Sequence, residues 1–551
     1  MSAKFRSSDA VDFVVIGAGA AGGVVAKELS IAGFQVVVLE QGPYLRENDY
    51  THDEIKYTFQ PGLTNDPKIQ PVMYRKSETE VARPVKAIEY GRQVGGGSVH
   101  FTGNYWRFHE SDFRERSLFG PVSGAGLEDW PISYADLEPY YTKAEYDLGI
   151  SGLAGANPFE GPRSKPYPLP PMPVKSSGVL FERAAKKLGL HPFPAPVAIL
   201  SHPYQGRAAC VNCGFCESFG CEMRAKSSTL VSVIPVAEQT GRFEVRPNCY
   251  VRKIETDSAG RAIGAVYFDG TRKEVFQRAK AVFVCANGVE TPKLLLLSKS
   301  ARFPNGLANT SSLVGKYLMW DNGCDVQGLF ERPLNEYKGI QVTRLIHDYY
   351  AADPTRGFYG GGGIDARFDF YPAGFALHGL PPDAPRWGSE FKRIFETYFN
   401  RAMTLLSHTT ALAQEKSSIT LDPDSRDAWG LPAVRITYDY HPDDMATMKF
   451  IIQKQLEILD AAGATKTWIQ PWGVADNMPC RHLMGTCRMG NDPKKSVVNG
   501  HSRTHDVPNL FLVDGSNFVT SARQQPTATI QALAYRAADF AIEAAKRNEL
   551  R

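Results

Sequence analysis

The feature that most constrains the fold is a glycine-rich segment near the N-terminus. Gly17, Gly19 and Gly22 form a GxGxxG pattern that follows an apolar, β-branched run and opens a helical stretch, and Glu40 ends the next strand-like run. In a βαβ unit such glycines allow a tight turn and the close approach of a pyrophosphate, while the helix N-terminus favours its negative charge. A carboxylate at the end of the second strand accepts hydrogen bonds from ribose hydroxyls. The segment predicts a Rossmann-like dinucleotide site for FAD or NAD, because an arginine would be expected at position 40 for a 2′-phosphate.

Length and charge exclude several other classes of protein. The chain has 551 residues, which allows roughly two to four domains. Its 62 basic and 59 acidic residues leave a formal charge of +3, so neither disorder nor a nucleic-acid footprint is indicated. The longest apolar run, residues 291–297, is far below the ~20 residues of a membrane span. We expect no membrane span in this chain and recognise no export signal at its N-terminus.

Strand and helix patterns recur in separated parts of the chain. Blocks at 278–298 and 510–546 resemble the N-terminal block, a proline-rich stretch at 155–175 suits a crossing between domains, and 320–475 suits an antiparallel sheet with helices. We therefore predict an α/β protein, α+β overall, in which a Rossmann-like cofactor domain is interleaved with an antiparallel-sheet substrate domain. The predicted cofactor domain comprises 1–50, 85–130, 225–310 and 480–551; the predicted substrate domain comprises 131–224 and 311–479, with a cysteine-containing insertion at 205–225.

A second glycine-dense loop distinguishes between the two cofactors. It contains Gly95, Gly96, Ser98 and His100, and Asn104 follows it. Glycines in such a loop let the backbone approach a large planar ligand. Together with the N-terminal motif, the 287–298 segment and Asp514-Gly515-Ser516, this loop resembles the glucose-methanol-choline (GMC) family of FAD oxidoreductases, and the resemblance extends over nearly the whole chain.

The resemblance implies FAD and a set of residues that hold it. In some family members a histidine of this loop carries the flavin covalently, which makes His100 the candidate; the alternative is a histidine that only packs or hydrogen bonds near the ring. The cofactor-binding residues implied are Gly17, Gly19, Gly22, Glu40, Gly95, Gly96, Ser98, His100, Asn104, Val251, Asp514, Gly515, Pro526 and Thr527.

One histidine is the candidate base. Oxidising an alcohol requires a group that takes the hydroxyl proton while hydride leaves the carbon, and histidine titrates in the useful range. His482, in a segment similar to the family's catalytic segment, is that candidate. The family's second position, usually His or Asn, is Gln525 here, whose amide reaches one methylene further than asparagine, and Arg523 adds a polar group nearby. His378 and His408 are predicted to be structural.

Four cysteines lie within twelve residues. Cys210, Cys213, Cys216 and Cys221 have the spacing C-x2-C-x2-C-x4-C, which suits an iron–sulfur cluster; a structural zinc site and disulfides are the alternatives. The resemblance extends to a branch of the family, the catalytic subunits of bacterial gluconate, fructose and glucose dehydrogenases, whose cysteine-rich insertion holds a 3Fe-4S cluster; glucoside 3-dehydrogenases are similar. Such a cluster takes three thiolates, for which Cys210, Cys216 and Cys221 are expected. The other five cysteines are predicted to be buried small apolar residues.

These features predict an FAD-dependent dehydrogenase that oxidises a hydroxyl of a sugar, glycoside or sugar acid by hydride transfer to flavin N5. Electrons would leave through the cluster to an external acceptor such as a cytochrome. The resemblance also implies a small partner subunit that carries the export signal, and hence a periplasmic location, with the cytoplasm as the alternative. An oxidase of the same fold that uses oxygen and a non-catalytic redox relay subunit are the rival functions.

Overall fold

The computed structural model describes residues 4–86, 88–320, 322–470 and 480–550. Along these ranges the α-helices are α1 (Ala20–Ile31), α2 (Glu115–Phe119), α3 (Tyr134–Leu148), α4 (Ser176–Lys187), α5 (Ile234–Gln239), α6 (Glu290–Leu297), α7 (Pro372–Gly374), α8 (Gly388–Phe399), α9 (Pro442–Ala462) and α10 (Thr527–Lys546). The strands are β1 (Val11–Ile16), β2 (Val36–Leu39), β3 (Val72–Arg75), β4 (Arg83–Pro84), β5 (Phe193–Pro194), β6 (Phe243–Arg246), β7 (Tyr250–Thr256), β8 (Ala262–Phe268), β9 (Glu274–Val284), β10 (Met319–Trp320), β11 (Asn322–Leu329), β12 (Arg344–Ile346), β13 (Gly362–Arg367), β14 (Ala402–Thr409), β15 (Ser418–Arg426), β16 (Pro432–Thr437), β17 (Lys466–Ile469), β18 (Leu483–Met484) and β19 (Leu510–Leu512).

The first sheet assembles the predicted cofactor-binding fold from distant parts of the chain. Its order is β6-β2-β1-β9-β8-β7, and β19 pairs with β9. The pairs β1–β2, β1–β9, β2–β6 and β9–β19 are parallel, so that strand ends from three separate blocks meet at one edge. β2 is a continuous buried apolar run, and β1 is apolar and buried except at Asp12, as expected for a parallel sheet covered on both faces. Ligands bind such sheets beyond the carboxyl ends of the strands.

The second sheet is antiparallel and has two chemically different faces. Its order is β17-β11-β14-β13-β12-β5. One face carries Val326, Ile364 and Leu405, which belong to a core cluster with residues of α4 and α9. Because side chains alternate along a strand, the neighbouring residues Asp325 and Leu406 lie on the opposite face, which is open to a cavity. The antiparallel-sheet part of the fold prediction is thus confirmed, whereas the domain boundaries drawn from the sequence remain predictions.

Two smaller sheets complete the fold. One has the order β15-β16-β3-β4, and the other pairs β10 with β18, which positions the chain just after His482 beside Met319 and Trp320. Among the described helices, none is long and apolar enough to cross a membrane.

Candidate active site

A single cavity of about 790 Å³ joins the edge of the parallel sheet to the polar face of the antiparallel sheet. It brings together both glycine segments and the C-terminal block, which are far apart in sequence. The sequence-predicted residues that line it are Gly17, Gly19, Glu40, Gly96, Ser98, His100, Val251, His482, Asp514, Gly515, Gln525, Pro526 and Thr527.

The two glycine segments touch each other at one end of the cavity. Gly17 has φ +95°, and a Cβ there would lie 2.5 Å from the Cys285 carbonyl oxygen. Gly96 has φ +53°, and its Cβ would lie 2.7 Å from Cα of Gly19. A side chain at position 96 would meet the N-terminal glycine segment, and one at position 17 would meet the backbone just after β9. The absence of side chains leaves a cradle of bare backbone of the kind that accepts a dinucleotide.

Glu40 closes this end of the cavity. Its Oε2 accepts from the Ala18 amide at 2.9 Å and its Oε1 accepts from the Gly42 amide at 2.9 Å. Burial raises the pKa of Glu40 to about 7, and the hydrogen bonds from the two backbone amides partly oppose that rise. The carboxylate therefore orders the turn itself, and its remaining lone pairs can accept from a ribose.

Three predicted cofactor residues do not line the cavity. Gly22 packs against the carbonyl oxygen of Gly17, and Gly95 packs against Val99. Asn104 is buried, with no described partner for either amide atom, and its backbone pairs with Val197. These three residues pack within or beside the loops. The spacing of the motifs does not indicate which of their residues line the cavity and which do not.

His100 ends the short 3-10 turn of the second loop and lines the cavity. Its ring is buried, and Nε2 has no hydrogen-bond partner among the described residues. Burial lowers the pKa of His100 to about 4, although Glu89 acts in the opposite direction. A neutral imidazole with an unsatisfied nitrogen facing the cavity fits either contact with a flavin ring or a covalent bond to it.

The candidate base lies at the other end of the cavity. The ring centroids of His482 and His408 are 4.8 Å apart. Gln525 immediately precedes Pro526, the N-cap of α10, and its buried Oε1 has no described partner. The site therefore combines two imidazoles and an amide with the dinucleotide cradle in one cavity, an arrangement that can remove a proton from a bound alcohol.

His408 and His378, which the sequence predicts to be structural, both line the cavity; their roles remain predictions. His408 pairs across the sheet with Gly323 on one side and Gly363 on the other. Both neighbours lack side chains, and at Gly363 the His347 ring occupies the space, since a Cβ there would lie 2.9 Å from its Cδ2. The alternation in β14 could have indicated a two-faced strand, but which face meets the cofactor domain depends on tertiary packing.

Several charged residues that no sequence motif indicated also lie at the cavity. Arg367 forms two 2.6 Å bonds to Asp365, and Arg481 bonds to Glu217 at 2.6 Å and to Glu89 at 3.2 Å. Asp325 lies on the same sheet face as Asp365, since both pair with Leu406. No short motif connects these residues, because they come from different strands and loops.

The four clustered cysteines occupy a loop packed directly on the flavin-loop candidate. The Ser218 amide donates to the His100 carbonyl at 2.7 Å, and the buried Lys226 ammonium donates to the carbonyls of Phe101, Cys216 and Phe219. Burial raises the pKa of the Cys216 thiol to about 12.

The cysteine loop does not form a metal site as it stands. Within the described ranges, no three His, Cys, Asp or Glu side chains are arranged to hold a metal ion. The donor chemistry is suitable for iron–sulfur ligation, but the thiols do not adopt the required arrangement. No disulfide links the cysteines, and the five scattered ones, Cys249, Cys285, Cys324, Cys480 and Cys487, are buried.

Comparisons with known proteins show the family to which the chain belongs. Sequence profiles described as GMC oxidoreductase match residues 11–318 and 413–534. The chain is 36% identical to 2-methyl-1,2-propanediol dehydrogenase of Mycolicibacterium austroafricanum, over 97% of this chain and 95% of that protein. It is 30% identical to the gluconate 2-dehydrogenase flavoprotein of Pantoea cypripedii, over 95% of this chain and 92% of that protein.

Formate oxidase of Aspergillus oryzae RIB40 shares the fold, with a TM-score of 0.67 at 16% identity, over 99% of this chain and 100% of that one. The chain belongs to the GMC oxidoreductase family. It is an FAD-binding oxidoreductase that acts on CH–OH groups, as the resemblance predicted.

Proposed function

We propose that this protein is an FAD-dependent dehydrogenase that oxidises one hydroxyl of a polyhydroxylated substrate, either a diol, a sugar or a glycoside. The observation that carries the proposal is the meeting of His482, His408 and Gln525 in the same cavity as the dinucleotide cradle. The relatives named above, a propanediol dehydrogenase and a gluconate dehydrogenase, support the substrate class because each name denotes a compound with several hydroxyls.

The side chains have distinct tasks in this reaction. FAD, when bound, supplies the hydride acceptor. A ring nitrogen of His482 takes the hydroxyl proton, and His408 is close enough to share hydrogen bonding at the same hydroxyl. Gln525 can donate from its amide to the substrate oxygen, which holds the reacting carbon in place. The apolar walls contributed by Trp320, Leu406 and Phe370 limit water around the reacting carbon.

Anaerobic bleaching of the flavin tests this function. Purified protein is mixed with 2-methyl-1,2-propanediol, D-fructose, methyl β-D-glucopyranoside and D-gluconate, and the product is identified by NMR. At least one neutral polyol is expected to bleach the flavin. In separate aerobic assays with that compound, an artificial dye is expected to be reduced fast and oxygen to be consumed slowly. Hydrogen peroxide formed at the rate of substrate oxidation would favour the oxidase, and failure of every compound would favour the relay subunit.

We also propose that His100 carries the flavin covalently, because the residue lines the cavity and its buried Nε2 has no hydrogen-bond partner among the described residues. Acid precipitation of the wild-type protein is expected to leave the yellow colour in the pellet, whereas His100→Ala is expected to release FAD into the supernatant. His191→Ala, at an exposed site outside the cavity, is the control and should retain the wild-type behaviour. Free FAD from the wild type would restrict His100 to a contact role.

A third element of the proposal is an iron–sulfur cluster at the cysteine loop. The cysteine spacing and the contact of this loop with His100 support it, although the thiols must move together to bind iron. Purified wild-type protein is expected to contain about three iron atoms per chain, in line with three thiolate ligands, and Cys216→Ser to contain less than a tenth of that. Cys249→Ser is the control outside the loop. Zinc, or no metal, in anaerobically purified wild type would contradict the cluster.

The last part of the proposal concerns the electron acceptor and the cellular location of the protein. We infer a cytochrome as the electron acceptor and a small partner subunit that brings the chain to the periplasm. Co-purification of the protein from its native host, followed by haem staining, tests both partners.

A further inference from the structure

Asp325 stands out among the cavity residues because one of its carboxylate oxygens is buried and has no hydrogen-bond partner among the described residues. It lies on β11, directly opposite Leu406 of β14, with its side chain on the polar face of the antiparallel sheet. An unsatisfied buried polar atom costs about 1–3 kcal/mol, and more if the group is charged. Such an atom on the wall of an active-site cavity indicates a position where a ligand completes the hydrogen bonding.

The nearby cations do not serve this carboxylate. Arg367 is engaged by Asp365 through two 2.6 Å bonds, and none of the described ion pairs includes Asp325. Burial raises the pKa of Asp325 well above its ordinary value, and Asp369, Asp365 and Glu217 add to that rise while Arg367 opposes it. Asp325 therefore has no ion-pair partner among the described residues, because Arg367, the cation that acts on it, is already paired with Asp365 and Asp369.

The register of the strands places Asp325 within reach of a substrate held at His482. Gly323 pairs with His408, and Asp325 is two residues further along the same strand. Diagonal neighbours of this kind are roughly 7–8 Å apart. The His408 ring contacts the His482 ring at 4.8 Å between centroids. A sugar or small polyol can therefore present one hydroxyl to the histidines and another donor to Asp325.

We propose that Asp325 is the recognition residue for a second hydrogen-bond donor of the substrate, either a hydroxyl or an amino group, and that the acidic wall around it rejects hydroxy acids. The inference rests on the proposed function and narrows it. An aldonic acid such as gluconate would bring a further carboxylate toward a group of side chains in which the carboxyl groups outnumber the two paired arginines, Arg367 and Arg481. Those carboxyl groups belong to Asp325, Asp365, Asp369, Glu89 and Glu217. Sites built to bind a substrate hydroxyl discriminate strongly against the analogue that lacks it, since the protein group is then left unpaired.

Matched substrates and variants of the holoenzyme test the proposal. Two series are used: 2-methyl-1,2-propanediol against 2-methyl-1-propanol, and methyl β-D-glucopyranoside against its monodeoxy, 2-amino and glucuronide analogues. The measured quantity is kcat/KM for anaerobic flavin reduction. In the wild type, removal of the recognised hydroxyl is expected to lower kcat/KM by at least ~10²-fold, and the glucuronide to be poorer than the glucoside. A 2-amino analogue that is recognised at Asp325 is expected to match or exceed the parent glucoside.

In Asp325→Leu, kcat/KM for the parent substrate is expected to fall ~10²-fold. For the analogue that lacks the recognised hydroxyl, kcat/KM should stay within about threefold of the wild-type value. Asp325→Asn, which keeps a carbonyl acceptor, should fall between the two. FAD content and the thermal midpoint establish that each variant is folded, and Asp325→Asn serves if Asp325→Leu is not. Equal losses on both members of a pair, or faster reduction by hydroxy acids, would overturn the assignment of Asp325. Absence of bleaching by every neutral polyol with the wild type would instead overturn the proposed function.

Discussion

His482→Gln is expected to slow reduction of the flavin by substrate at least ~10²-fold, because the variant keeps a hydrogen-bonding side chain but loses the proton acceptor. The imidazole lies in the cavity shared with the dinucleotide cradle, and the strand β18 that follows it is held by pairing with β10. The substitution does not alter the dinucleotide cradle, so FAD content is expected to be unchanged. Stopped-flow absorbance at the flavin band measures the effect directly.

Two controls separate loss of the base from loss of structure. His191→Gln, an exposed histidine paired with Asp348 outside the cavity, should reduce flavin at the wild-type rate. In His482→Ala, added imidazole is expected to restore part of the rate, since a free base can enter the space left by the ring. Near-normal flavin reduction in His482→Gln would transfer the role to His408.

Arg523→Leu is expected to produce the largest loss of stability. The Arg523 side chain is fully buried, and its Nη1 contacts Asp112 at 3.1 Å and Glu115 at 2.5 Å. Tyr350 and Tyr359 donate to the same two carboxylates. Removing the guanidinium would leave two buried carboxyl groups with their tyrosine donors but without a countercharge among the described residues, at a cost of about 3–5 kcal/mol.

The cost should grow with pH. Burial raises the pKa of Asp112 to about 7, and Arg523 holds it below the value that burial alone would give. Without the guanidinium the pKa rises further, so the folded state resists ionisation more strongly as pH increases. We expect the thermal midpoint of Arg523→Leu to fall by several degrees at pH 6 and by more at pH 8.

Two further variants show whether the fall of the thermal midpoint comes from loss of the Arg523 charge. The thermal midpoint of Arg523→Lys is expected to lie between those of Arg523→Leu and the wild type, because one ammonium can pair with one carboxylate but not with both. Arg547→Leu, which removes an exposed arginine beside Glu549, should leave the midpoint unchanged. Since Arg523 also holds the backbone two residues before Gln525, its variants should lose flavin reduction even where they remain folded. A pH-independent midpoint shift in Arg523→Leu would contradict the ionisation argument.

The parts of the site that could be predicted from sequence are those encoded by local geometry. Gly17, Gly19 and Glu40 belong to one βαβ unit, whose turn and helix start are specified within a few residues. His482 and Gln525 were recognised through short segments similar to the family's. The structure places all five residues on the cavity.

The residues that could not be predicted meet only through long-range pairing. His408 and Asp325 come from strands 77 to 85 residues apart along the register, as in the pairs Gln327–Thr404 and Gly323–His408. A shift of either strand by one residue in that register would turn the side chain that it carries away from the cavity. Asn104 shows the limit of a local motif in another way, since it follows the predicted loop but is not among the residues that line the cavity; its contact with the cofactor remains a prediction.

The sequence by itself determined the cofactor class, the interleaved α/β architecture and the identity of the candidate base, because glycine turns, strand ends and short motifs act over a few residues. The tertiary structure alone decided which polar groups line the cavity beside the candidate base, and that Arg523 ties the C-terminal segment to Asp112 and Glu115. Those contacts depend on strand register and on the packing of segments hundreds of residues apart, which no local pattern specifies.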